Sequence, residues 1–132
     1  MPFYRVYHTA ALFNAADKQA IASAITQQHS AITGAPTSAA KVVFVPFAAE
    51  DAYSDGVPAR FVRLVGLVKS GRDAPTRAAL LGALTRVFVP YLTEDAVELT
   101  LIENRPEDTV RYAGPSTPQE VQQWAAIAPP QI

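Results

Sequence analysis

The chain has no cysteine, only two histidines, one methionine and one tryptophan. Without cysteine there is no thiol nucleophile, no disulfide and no thiolate-held zinc, and the redox compartment stays open. Two histidines, His8 and His29, argue against a metal cluster, so no metal site is expected. Charge of either sign is scarce in excess: 11 basic and 12 acidic residues leave a net charge of −1, with no run of like charge. The electrostatic footprint of a nucleic-acid binder is missing. No apolar run approaches the ~18 residues of a membrane-spanning helix, and the N-terminus lacks the basic-then-apolar order of a secretory signal. The expectation is a cytoplasmic protein that binds neither nucleic acid nor membrane. What is present is a chain of 132 residues, 49% hydrophobic, long enough for one domain with a real core.

Residues 2–9 alternate, with Pro2, Tyr4, Val6 and His8 on one face and Phe3, Arg5 and Tyr7 on the other, which predicts a strand. Asn14 is a helix N-cap, Gly34 a stop, and Ile21, Ile25, His29 and Ile32 recur between them at helical spacing. The apolar run of residues 41–45 predicts a strand buried on both faces. Residues 46–60 carry Pro46, Gly56 and Pro58 and read as a long loop, with room for a short hairpin. A strand over 61–70, a helix over 75–92 and a strand over 97–102 follow. The strand-helix-strand order therefore occurs twice, and a shift of 59 residues lays the alanine-rich helix sequence from Ala20 onto that from Ala79. The expected organisation is a first β-α-β unit over 1–59, a second over 60–104, and a tail over 105–132 carrying a short helix from Pro118 to about Ala126 anchored by Trp124.

Three places carry chemistry. Pro2 follows the initiator, and removal of Met1 leaves a secondary-amine N-terminus. An α-amino group titrates near ~7.7–8.0 in model peptides, and a low-dielectric site favours its neutral, basic form. His29 lies on the inward stripe near the helix C-terminus, where the dipole favours imidazolium. It orients a substrate carbonyl or carboxylate, or else it is a structural histidine bonded to backbone. In Lys69-Ser70-Gly71-Arg72 two cations stand three apart, just before a helix N-terminus. They form a clamp for a carboxylate or phosphate, or a solvated basic turn paired with Asp73.

Pro2, the stretch Ala24-Ile25-Thr26-Gln27-Gln28-His29 with Thr33-Gly34, and Lys69-Ser70-Gly71-Arg72 together resemble the tautomerase superfamily, most closely its cis-3-chloroacrylic acid dehalogenase group. The resemblance runs from Pro2 to about Gly114. It implies an α+β fold of two fused β-α-β units, a four-stranded mixed sheet backed by two helices, and assembly as a homotrimer. It also implies roles: Pro2 as amino-terminal base or acid, His29 as substrate-orienting group, Arg72 as carboxylate binder, and Lys69 where the dehalogenase has a second arginine. That group activates water with a tyrosine on the fourth strand and a glutamate further on; the corresponding positions here are Leu101 and either Arg111 or Tyr112. Hydrolytic dehalogenation is therefore expected to be weak or absent.

Tautomerisation needs no water and no cofactor, only a base that moves a proton between carbon and oxygen and a cation to hold a carboxylate. The leading expectation is a cofactor-free tautomerase acting on a small enol or 2-oxo carboxylate. Two alternatives share the order of elements: a ferredoxin-like binding or assembly module without catalysis, and an oxygenase on that same fold with His29 as base. Parallel first and second strands, with Pro2 near Arg72, exclude the binding module, and activity that depends on oxygen and is indifferent to Pro2 favours the oxygenase.

Overall fold

The computed structural model of the protein describes residues 2–110; the tail helix expected around Trp124 lies outside the described residues, as do Arg111 and Tyr112. The elements are β1 (Phe3–Thr9), α1 (Ala15–Thr33), β2 (Lys41–Phe47), a hairpin of β3 (Tyr53–Ser54) and β4 (Val57–Pro58), β5 (Val62–Lys69), α2 (Ala74–Val87) and β6 (Val97–Asn104). Four strands form one mixed sheet in the order β2-β1-β5-β6. Strands β1 and β2 are parallel, β1 and β5 antiparallel, and β5 and β6 parallel. Each β-α-β unit thus keeps its two strands adjacent, and the units meet at an antiparallel seam. A ferredoxin-like fold splits that unit with an intervening strand. The observed order excludes the ferredoxin-like fold on which both alternatives rest.

Alternation dictates the layers. Tyr4, Val6, Val62, Leu64 and Val68 turn inward from the two central strands and are buried. Ile21 and Ile25 of α1, with Leu80, Leu84 and Phe88 of the second helical segment, complete the same core. A side chain of this kind contributes about 1.5–3 kcal/mol when fully buried. Among the described residues no helix is long and apolar enough to cross a membrane.

Local signals fixed α1 at both ends. Asn14 accepts a hydrogen bond from the Asp17 amide at 2.8 Å while the Asp17 carboxylate accepts one from the Asn14 amide at 3.0 Å, a complete capping box. At the other end Gly34 takes the left-handed conformation, φ 76°, and its N–H donates to Ser30 O.

Two expectations are corrected. Strand β2 is not buried on both faces: it is an edge strand, paired only with β1, and Val43 is 42% exposed. Its apolar run is continuous because its inner side packs on the core while its outer side belongs to the helix-free face of the sheet. Helix α2 ends at Val87 rather than at residue 92. Pro90 has no N–H to donate and restricts Val89, so the chain leaves the helix through turns over 88–92.

Candidate active site

The N-terminal end of β1 and the C-terminal ends of α1, β5 and β6 converge. Pro2 is buried there, and its carbonyl accepts the Lys41 amide at 3.0 Å, which ties the start of β1 to the start of β2. Pro2 and Tyr4 are on the same face by alternation, turned toward the helices. From α1, His29 reaches this face: it is 2% exposed, and its Nδ1 lies 2.6 Å from the Tyr4 hydroxyl. The other ring nitrogen, Nε2, is buried with no partner among the described residues.

Burial lowers the pKa of His29 to about 4, and the positive charge of Arg72 pushes the same way. The imidazole is therefore neutral at pH 7. The expectation of an imidazolium favoured by the helix dipole is corrected: desolvation outweighs a dipole whose carbonyl ends are already met by Thr33 Oγ1 and the Gly34 cap. Burial also raises the pKa of the Tyr4 phenol, so the hydroxyl keeps its proton.

Beyond this pair lies a cavity of about 450 Å³. One wall is the end of α1 and the turn after it, with Thr33, Gly34 and Pro36; the other is built from Lys69, Arg72 and the segment from Asn104 to Thr109. Lys69 ends β5 and is exposed. Gly71, at φ 98°, turns the chain after it, a conformation glycine adopts without strain. Arg72 is half-buried and donates to the Lys69 carbonyl at 3.1 Å, which braces the guanidinium against the turn. Asp73 does not pair with it. It caps α2 instead, accepting from the Thr76 amide at 2.8 Å, and those bonds hold its carboxyl below the usual range. The helix N-terminus is thus occupied by the chain's own carboxylate, and the cavity's anion-binding capacity rests with Lys69 and Arg72. Arg105, also on the wall, is committed to Asp108 at 2.9 Å. No Asp or Glu is among the described residues lining the cavity.

A family model described as "Putative oxalocrotonate tautomerase enzyme" matches residues 1–126. The chain belongs to this tautomerase family. Among solved structures, the tautomerase chain is similar to N1, a member of the cis-3-chloroacrylic acid dehalogenase family, at 26% identity and a TM-score of 0.80, covering 96% of this chain and 92% of that one. It is similar to native Ps01740 at 25% identity and a TM-score of 0.80, covering 83% and 99%. A wild-type fused 4-OT described as a symmetric trimer shares the fold at 22% identity and a TM-score of 0.78, covering 86% of this chain and 94% of that one. No curated protein matched the chain.

In this tautomerase-family chain, Lys69 and Arg72 line the cavity, whereas Pro2 and His29 are buried at the same end of the sheet and are not on its wall. Leu101 is apart from them: it packs on the core across from Gly66 and is not on the cavity wall. Two residues escaped sequence reasoning. Tyr4 reads as core, and it is core, but its hydroxyl meets His29; the signal was its place on the Pro2 face together with the need of a buried phenol for a partner. Asn104 lines the cavity at the end of β6, with its Oδ1 buried and unpartnered. Nothing in its local sequence marks it.

Proposed function

We propose that the chain is a cofactor-free tautomerase of the cis-3-chloroacrylic acid dehalogenase-like group, acting on a small enol or 2-oxo carboxylate. The observation that supports this reading is a cavity walled by Lys69, Arg72 and the end of the helix that carries a neutral buried His29, at the end of the sheet where Pro2 leads into β1. With Met1 removed, the Pro2 nitrogen takes the proton from the enol hydroxyl and returns it to the adjacent carbon, giving the 2-oxo acid with no net gain or loss. Arg72 and Lys69 hold the carboxylate, the first as a planar fork and the second as a mobile charge. His29 donates from Nε2 to the substrate oxygen, where negative charge develops. The absence of Asp and Glu from the described cavity wall, and an apolar Leu101, support weak or absent hydration and dehalogenation. The reading is of a cytoplasmic homotrimer: the similar fused 4-OT structures include trimers, and one face of the sheet carries no helix among the described residues.

The test is decay of the enol ultraviolet absorbance of phenylenolpyruvate or 2-hydroxymuconate. Processed protein should accelerate ketonisation, and Pro2→Ala should lower kcat/KM by roughly 10²-fold or more. A form that retains Met1 should be inactive, because its proline nitrogen is an amide. Equal rates for retained and processed forms would remove the amine from the mechanism. Rapid halide release from 3-haloacrylates would overturn the assignment of weak dehalogenation.

A further inference from the structure

Tyr4 is the buried polar side chain next to the proposed site that the chemistry above leaves without a part. It has no exposed area, its ring stands edge-on to His29 with centroids 5.6 Å apart at 74°, and the hydroxyl to Nδ1 distance is 2.6 Å. Two arrangements of the shared hydrogen are open to such a pair. If Nδ1–H donates to the phenol oxygen, the Tyr4 O–H is left without an acceptor among the described residues, and Nε2 becomes a bare acceptor with no donor. If the phenol donates to Nδ1, the only unmet group is Nε2–H. The second arrangement leaves one orphan instead of two, and an unmet buried donor costs about 1–3 kcal/mol.

The pair is also not required by the packing. In the second β-α-β unit the inward positions at the start of the central strand, Val62 and Leu64, and Phe88 at the end of the second helix are all buried and apolar. The fold is content with hydrocarbon there. Strand β5 instead makes a concession to Tyr4: Gly66 is its register partner, and a Cβ at Gly66 would lie 2.5 Å from Tyr4 Cε1. A strand-interior glycine is a weak choice unless another group needs the space.

We infer that Tyr4 is a positioning residue whose hydroxyl donates to Nδ1 of His29, locks the imidazole as its Nε2–H tautomer, and so aims an uncharged N–H donor at the oxygen of the enol or 2-oxo acid. This rests on the reading of His29 as the group that orients substrate. It makes Tyr4, not the helix, the element that sets what His29 does.

Two measurements test it. A long-range proton–nitrogen NMR spectrum of the His29 ring should show hydrogen on Nε2 and none on Nδ1, with a slowly exchanging Tyr4 hydroxyl proton that disappears in Tyr4→Phe. Hydrogen on Nδ1 of the wild type overturns the inference whether or not the protein is a tautomerase. Kinetically, Tyr4→Phe should lower kcat/KM by roughly tenfold in the wild-type background and have no effect in His29→Ala. The same fold-loss in both backgrounds assigns Tyr4 a packing role and overturns the inference, while Pro2-dependent activity in the wild type leaves the tautomerase reading standing. Phe keeps the ring that fills the space beside Gly66, and an unchanged amide spectrum elsewhere verifies the fold.

Discussion

His29 makes stability depend on pH in the acid range. An unfolded histidine titrates near ~6.5, whereas burial lowers the folded value to about 4. Between these values the unfolded chain binds the extra proton, so stability is full above the upper value and is lost as pH falls through the lower one. The loss is about 3 kcal/mol at most. His8 acts in the same direction: burial lowers it too, while its Nδ1 donates to the Thr9 carbonyl at 2.9 Å. Urea midpoints should therefore fall steadily between pH 7 and pH 4, and His29→Gln should flatten that slope; a midpoint indifferent to pH contradicts a neutral buried imidazole. Gly66 offers a second test. Gly66→Ala drives a methyl against the Tyr4 ring, which should cost about 1–3 kcal/mol in urea unfolding. The same change should displace the hydroxyl from His29, so the loss of stability should come with a loss of ketonisation.

The two helices are terminated by residues readable one by one, yet their caps serve different ends. Asn14 closes a capping box far from the cavity, so Asn14→Ala should cost about 1 kcal/mol of stability and leave KM unchanged. Asp73 caps α2 directly after Arg72, and Arg77 of the same helix donates to the Arg72 carbonyl and lies 3.4 Å from Glu103 of β6. The first turn of α2 is thus the base on which the Arg72 guanidinium is mounted. Asp73→Ala should both lower the urea midpoint and raise KM for a carboxylate substrate. If KM stays fixed while stability drops, the cap and the clamp are independent.

Among the described residues the sheet carries its two long helices on one side. Val43 of β2 and Ile102 of β6 point away from the helices and are 42% and 45% exposed. Apolar side chains left open on opposite edges of one sheet face suit an interface between copies of the chain. Sedimentation equilibrium should give three times the chain mass of 14.2 kDa, and Val43→Glu should shift the protein to smaller species. A wild-type monomer at micromolar concentration would overturn the trimer.

Local signals made much of the architecture legible. Caps, alternation and turn glycines act within a few residues, so α1 with both its ends, the duplicated strand-helix-strand order and the Gly71 turn between Lys69 and Arg72 could be read directly. The pairing of strands acts over long separations, which is why β2 read as buried on both faces and proved to be an edge strand with Val43 open. The same separation hid the meaning of His29. Its place near a helix end argued for charge, but its partner is 25 residues away on β1 and its burial is made by the whole core. Periodicity assigns a face to a residue; what that face meets is set by packing, because desolvation and a partner's hydroxyl are properties of the assembled interior and belong to no stretch of chain alone.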